Sequence, residues 1–272
     1  MCAIAGMVSL DNKTTRYTTQ HTKTEMVTIF SHMMRHLHGG GRDASGIFIG
    51  NRQAALSGKG SIGMYKDAVP SNVFLEDAKT KKLLNSISPG NTLYVVGHAR
   101  AGTTGDDSNE NNHPFKSGSV IGVHNGMLNN HQELAKKEVL PLAGECDSEV
   151  IFSLFNKKTV GDLQTKTENV CRDLSGWYAC ALVDTKDFQK IVLFKDGIAR
   201  LHLLYSAATK LLLFCTFLEL MVAAVKEAGI DPTKFVKKPF ADNTGVVIST
   251  YDDFTWEKIN NKMFSVSKAS KI

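Results

Sequence analysis

The sequence predicts an α+β chain whose helices pack outside stacked β-sheets. Short apolar runs bounded by glycine or polar turn residues recur along it, as buried strands do. Only a few segments place apolar residues at helical spacing, and these fall in groups rather than between every pair of strands. Regular βαβ alternation is therefore not the pattern, and helices outside stacked sheets fit it better.

Ala3 to Leu10 reads as a buried strand that begins almost at the amino terminus. Met26, Ile29, Phe30, Met33, Met34 and Leu37 then form an apolar stripe with helical period, which assigns these methionines to a core. Thr22 with Glu25 three residues on is a capping-box pattern, and Gly39-Gly40-Gly41 ends the helix. Strands follow at Ser45 to Gly50, Thr92 to His98 and Ser119 to His124. A helix starting near Asp147 carries Val150, Ile151, Leu154 and Phe155 on one face, and a second covers Val160 to Leu174. Strands are expected at Trp177 to Asp184, Lys190 to Phe194, Arg200 to Ser206 and Leu211 to Phe214. A helix over Glu219 to Glu227 stops at Gly229, and strands at Gly245 to Thr250 and Asp253 to Lys258 complete the pattern. Gly102 to Asn112 is a long polar loop between strands, and no linker or repeat divides the chain.

Composition sets the class. With 272 residues, 42% hydrophobic and 22% charged, collagen-like and wholly disordered chains are excluded. A net charge of +5 is too small to argue for nucleic acid. The basic clusters at Lys79, Lys81 and Lys82, at Lys234, Lys237 and Lys238, and in the Lys268 to Lys271 tail lack interleaved aromatics and read as solvated faces. Five cysteines with no C-x-x-C pair fit a reducing compartment. The apolar Leu211 to Val225 stretch contains Glu219 and is too short to span a bilayer. No secretory signal opens the chain. A cytoplasmic protein without membrane or nucleic-acid partners is expected.

Four segments can carry chemistry. Cysteine at position 2 permits removal of Met1, which would leave a thiol beside an α-amine whose pKa is about 8. Such an amine can take the thiol proton without a histidine base. Cys2 is also a small hydrophobe that packs well. Arg100, in Gly97-His98-Ala99-Arg100-Ala101-Gly102-Thr103-Thr104-Gly105, leaves a strand end with a planar fork suited to a carboxylate, and Thr103 with the loop amides can add hydrogen bonds. A surface arginine at a strand exit is the alternative. Asn125 and Gly126 offer a side-chain amide and an unobstructed backbone N–H, the two donors of an oxyanion hole, or else a common Asn-Gly turn. Asp147 is either a helix N-cap or an acceptor for an ammonium group. Together the four would suffice to cleave the side-chain amide of a free α-amino acid.

These segments resemble the class II glutamine amidotransferase family, whose glutaminase domains use an amino-terminal cysteine nucleophile. The matching pieces are Met1-Cys2-Ala3-Ile4-Ala5-Gly6, Gly41-Arg42-Asp43-Ala44-Ser45-Gly46, the Gly97 to Gly105 segment, Asn112-His113-Pro114-Phe115, Val123 to Met127 and Asp147-Ser148-Glu149-Val150. They occur in the family's order and cover residues 2–155; beyond that only a strand pattern matches. The resemblance implies a four-layer αββα sandwich of the N-terminal nucleophile hydrolase type. One glutamine amidotransferase type-2 domain would span residues 2–272 after loss of Met1.

It also implies roles. Cys2 is the nucleophile that forms a thioester with L-glutamine and releases ammonia, while Asn125 and the Gly126 amide hold the oxyanion. Arg100 with Thr103 binds the substrate carboxylate, Asp147 binds its α-ammonium, and His113 shapes the pocket. No cofactor or metal is implied, and the ammonia would pass to an acceptor synthase on a separate chain. Two positions depart from the family. Gly39-Gly40-Gly41-Arg42-Asp43 stands where a His-Arg-Gly-x-Asp segment is usual, and Ala101 stands where many members carry an aromatic residue. The alternatives are the same fold acting on another amide, or serving as a catalytically silent binding or regulatory module.

Overall fold

The structure is a computed structural model that describes residues 2–10, 22–37, 41–52, 62–102 and 108–250, with the backbone of 256–259. It is the four-layer αββα sandwich. The strand β1 (Ala3–Ser9) leads into α1 (Lys23–His36), where the capping box is made: Glu25 N–H donates to Thr22 Oγ1 at 3.1 Å, and Thr22 N–H donates to the Glu25 carboxylate. Then come β2 (Ala44–Asn51), β3 (Gly63–Asp67), α2 (Ser71–Phe74), α3 (Ala78–Leu84), β4 (Thr92–Arg100), β5 (Phe115–Ser117) and β6 (Val120–Leu128). The helices α4 (His131–Lys137), α5 (Asp147–Lys157) and α6 (Leu163–Asp173) precede β7 (Gly176–Asp184), β8 (Lys190–Lys195), β9 (His202–Ser206) and β10 (Leu211–Cys215). The helix α7 (Leu218–Glu227) and the strands β11 (Val236–Lys238), β12 (Thr244–Ser249) and β13 (Trp256–Ile259) follow.

The first sheet runs β11-β9-β10-β1-β4-β2-β3 and the second β13-β12-β8-β7-β6-β5, with every pairing antiparallel. Strand period two sorts the side chains into layers. Ala3, Ala5 and Met7 of β1 pack beneath α1 and α7 with Met26, Phe30, Met33, Met221 and Val225. The alternate residues Ile4 and Val8 face the second sheet, where they join Phe48, Val96, Val123, Ala179, Ala181, Leu193 and Phe214. On the far side, Tyr178, Cys180, Leu182 and Val192 meet Ile151, Phe152, Phe155 and Val170 of α5 and α6. Burying each large apolar side chain stabilises by about 1.5–3 kcal/mol, so both faces of both sheets contribute.

The second expected helix is shorter than its apolar spacing suggested. Asp162 accepts from Thr165 N–H at 2.8 Å and starts α6 at Leu163, which leaves Val160 81% exposed outside it. The final strand is described from Trp256, and residues 253–255 of its expected span lie outside the described residues. Lys79, Lys81 and Lys82 lie exposed on α3, while the Lys268 to Lys271 tail lies outside the described residues. An aromatic nevertheless underlies two of the basic clusters, with Lys79 Nζ 5.1 Å from the Tyr65 ring and Lys238 Nζ 5.1 Å from Tyr205. Among the described residues, no helix is long and apolar enough to cross a membrane.

Candidate functional site

Strand register gathers the expected residues at one end of the sandwich. Ala3 pairs with Ala99, and Ala44 pairs with Arg100, so the start of β1 lies against the end of β4, which in turn lies against the start of β2. Thr216 N–H donates to Ile4 O at 2.9 Å and brings the end of β10 to the same place. Across the sandwich, β6 delivers Asn125 and Gly126, and α5 starts at Asp147.

Cys2 is half-buried and reciprocally bonded to Ala101: its thiol reaches Ala101 O at 3.4 Å, and Ala101 N–H reaches Sγ at 3.4 Å. Burial pushes the thiol above its ordinary value. The Ala101 amide, the terminal ammonium and Arg100 pull it back, and Asp147 adds to the rise. Cys2, Arg100 and Asp147 thus share one electrostatic neighbourhood. A thiol held high stays protonated at neutral pH, so it needs a base before it can attack.

Arg100 is 2% exposed at the last position of β4. Its carbonyl accepts from Asp43 N–H at 3.0 Å, and the Asp43 carboxylate accepts from Gly102 N–H at 2.6 Å. The loop leaving β4 is therefore pinned on both sides of the arginine. Gly41 is required there, since a Cβ would fall 2.4 Å from the Arg100 carbonyl carbon. Arg42, in the segment that departs from the family pattern, is exposed, and residues 38–40 lie outside the described residues. Thr103 also lies outside the described residues.

Asp147 is 2% exposed, and its place resolves the two sequence readings of this residue in part. The N-cap is Cys146, and Asp147 is the first helical residue. Its Oδ2 accepts from Leu128 N–H at 2.6 Å, across the chain at the end of β6, rather than from its own helix. Its Oδ1 accepts from Ser148 Oγ at 3.4 Å, and Ser148 Oγ lies 2.8 Å from His124 Nδ1. A carboxylate has about four acceptor positions, so capacity for a further cation remains.

Asn125 is 1% exposed. Its Nδ2 donates to Thr216 Oγ1 at 3.3 Å, and the same oxygen accepts from Ile4 N–H at 2.9 Å, so Thr216 ties the amide to β1 across the two sheets. One Nδ2 proton is engaged this way and the second remains for a ligand. At Gly126 the close approach is to the neighbouring strand: a Cβ would lie 2.0 Å from Trp177 O and 2.5 Å from His124 Nε2. Glycine is therefore needed by the sheet itself, whatever its amide does.

His113 lies in a buried stack that the sequence reading did not anticipate. Its ring is 3.8 Å from that of His98 and 6.5 Å from that of His124, centroid to centroid. Among the described residues neither His113 nitrogen has a hydrogen-bond partner, and His98 Nε2–H donates to His124 O at 2.9 Å. Burial holds His98 down at about 3, and it drives His113 and His124 below the ordinary histidine value. Three neutral imidazoles therefore form a buried cluster between β4 and β6, with Arg100 adding to the lowering of His98 and His113. Thr216 and Asn111 were also missed. Asn111 Oδ1 accepts from Glu145 N–H at 2.8 Å and Cys146 N–H at 3.0 Å, which fixes the entry into α5. Single polar residues of this kind carry no spacing signal.

Residues 98–223 match the family model described as a glutamine amidotransferase domain. This stretch, which holds Arg100, His113, Asn125 and Asp147, is similar to a glutamine amidotransferase domain. The chain is 27% identical over 206 residues to a glutamine–fructose-6-phosphate aminotransferase [isomerizing] from Vibrio parahaemolyticus, covering 72% of this chain and 29% of that protein. The same-named protein of Fusobacterium nucleatum is 37% identical over 121 residues, covering 42% of this chain and 20% of that one. The chain thus spans about three-tenths of the length of the first of these relatives. Among solved structures, glutamine phosphoribosylpyrophosphate amidotransferase from B. subtilis superposes with a TM-score of 0.68 at 16% identity, covering 96% of this chain and 50% of that one. A glutamine aminotransferase class-II domain protein from Silicibacter pomeroyi superposes at 0.53 and 14% identity, covering 91% and 95%. At such identities the superpositions speak for the amidotransferase fold alone.

Proposed function

We propose that this chain hydrolyses the side-chain amide of L-glutamine to glutamate and ammonia through a thioester on Cys2. The observation that carries this reading is the convergence of Cys2, Arg100 and Asp147 at one end of the sandwich. A cation and an anion beside a thiol suit an amino acid whose carboxylate and ammonium must both be held.

With Met1 removed, the terminal α-amine of Cys2 takes the thiol proton. The sulfur attacks the substrate Cδ, and the oxyanion is held by the free Asn125 Nδ2 proton and the Gly126 amide. The C–N bond breaks as the protonated amine gives its proton to the leaving ammonia. Water, deprotonated by the same amine, then attacks the thioester; glutamate departs and the thiolate regains its proton. Arg100 and Thr103 hold the carboxylate and Asp147 the ammonium, while neutral His113 shapes the pocket without exchanging protons.

The reading treats residues 2–272 as one domain, supported by the entry of strands from 176 onward into both sheets. The released ammonia is consumed by an acceptor synthase domain or subunit. Placing that acceptor on a separate chain is part of the same proposal. A cytoplasmic setting, with neither membrane nor nucleic acid as partner, belongs to the same proposal.

The test is glutamate release from glutamine. Cys2→Ala should lower kcat by at least about a thousandfold, as loss of a covalent nucleophile does, with an unchanged thermal unfolding midpoint. Equal rates for the two proteins would remove the nucleophile from the account.

A further inference from the structure

A cavity opens at the same end of the sandwich. It has a volume of about 620 Å³ and is bounded by the end of β8, the segment leading into β9, and β11 with the residues that follow it. Register fixes its distance from the nucleophile. In the first sheet His202 pairs with Cys215, which pairs with Ala5, so the cavity lies two strands from β1. In the second sheet Lys195 pairs with Ala179, which pairs with Asn125, again two strands away. Two strand spacings are about 10 Å.

Its walls are cationic. Lys195, Arg200, His202, Lys237 and Lys238 line it against the carboxylate of Asp242. Lys195 is buried, and its Nζ donates to Asp242 and, at 3.3 Å, to Asp196 O, so this pair is internally neutral. Among the described residues Arg200 and Lys237 have no carboxylate partner, and Lys238 lies over the Tyr205 ring. Three positive charges are left uncompensated around one cavity. Burial and the charge of Lys237 lower His202, Glu219 opposes them, and Lys195 and Arg200 add smaller contributions in the lowering direction. Its mouth is apolar, with Ile198 73% exposed and Phe240 half-buried.

We propose that this cavity binds a phosphomonoester whose organic part carries an apolar or ring-shaped face. A phosphate dianion matches the charge excess better than a monovalent carboxylate, and an arginine with two lysines is the donor set that phosphate oxygens accept from. His202, neutral, adds one N–H. Ile198 and Phe240 cover the organic part. The volume lies within the range of small-molecule sites, about 300–1,000 Å³. Lys237 and Lys238, which read in the sequence as a solvated face, acquire a role once the fold sets them opposite Arg200. The proposal is independent of the glutaminase reading, since binding is measured without turnover.

The experiment is calorimetric titration of the full chain with phenyl phosphate, inorganic phosphate and benzoate. Phenyl phosphate should saturate. Inorganic phosphate should bind more weakly for want of the ring, and benzoate at least about tenfold more weakly than phenyl phosphate. The double variant Arg200→Gln/Lys237→Gln should lose at least about tenfold in phenyl phosphate affinity, with an unchanged unfolding midpoint. The charge-matched control Lys79→Gln/Lys81→Gln, on α3, should bind as wild type does. Benzoate binding as tightly as phenyl phosphate, equal losses in the two double variants, or no saturation by about 10 mM phenyl phosphate would each overturn the proposal.

Discussion

The same end of the sandwich holds two polar clusters built in opposite ways. Around Cys2, the groups Arg100, His113, Asn125 and Asp147 are at most 2% exposed. Arg100 and Asp147 are held by backbone bonds from Asp43 and Leu128, Asn125 by Thr216, and His113 by stacking on His98. Around His202, Arg200 and Lys237 keep their heads in solvent. The first cluster has already given up its hydration, so a charge or dipole lost there leaves a buried partner unsatisfied. The second remains solvated and screened, so single losses there are small. On the two proposals above, the contrast is between a preorganised reaction site and an electrostatic capture site.

The contrast is sharpest at Asn125. Asn125→Ala removes the donor proposed for the oxyanion and should lower kcat for glutamate release by about 10²–10³, with KM nearly unchanged. A change confined to KM would show that the amide binds substrate rather than the transition state. Next comes Arg100→Gln, which should lower kcat/KM by about 10², mostly through KM. The same variant should discriminate poorly between glutamine and an analogue lacking the α-carboxylate. Retained discrimination would assign the carboxylate clamp to another group.

The histidine stack supplies the third break point, in stability rather than rate. His98 is held at about 3 when folded against an ordinary 6.5, so the unfolded chain binds the extra proton between those values. Stability is therefore lost as pH falls from about 6.5 towards 3, at about 1.4 kcal/mol per pH unit for each such group, and His113 and His124 act in the same direction. Urea unfolding across the acid range should show His98→Gln with a correspondingly shallower slope, and an unaltered slope would mean that His98 titrates normally in the fold. The smallest effect is expected in the solvated cluster: Arg200→Gln should change unfolding free energy by no more than about 0.5 kcal/mol. A larger loss would make that cluster structural.

Legibility in the sequence followed the same division. Strands buried on both faces, such as β1 and β4, were readable as continuous apolar runs with polar or glycine boundaries, and α1 by its apolar stripe and cap. β3, the short helices α2 to α4, and β11 were not, since edge elements with exposed residues such as Val236 and Lys237 carry no such run or stripe. Strand-end motifs located Cys2, Arg100, Asn125 and Asp147. The bonds that orient them escaped, because Thr216 and Asn125 are 91 residues apart and His98 and His124 are joined only where the sheets stack. Asp147 illustrates the limit: its position at a helix start was legible, but the strand amide that fixes its carboxylate was not.

The account stands most directly on the covalent intermediate. Acid-quenched steady-state reaction with glutamine, followed by peptide mass analysis, should show an amino-terminal peptide that begins at Cys2 and carries one γ-glutamyl group on its thiol. The group should be absent in Cys2→Ala. Full glutamate release from protein that retains Met1, or an adduct on any other residue, would contradict it.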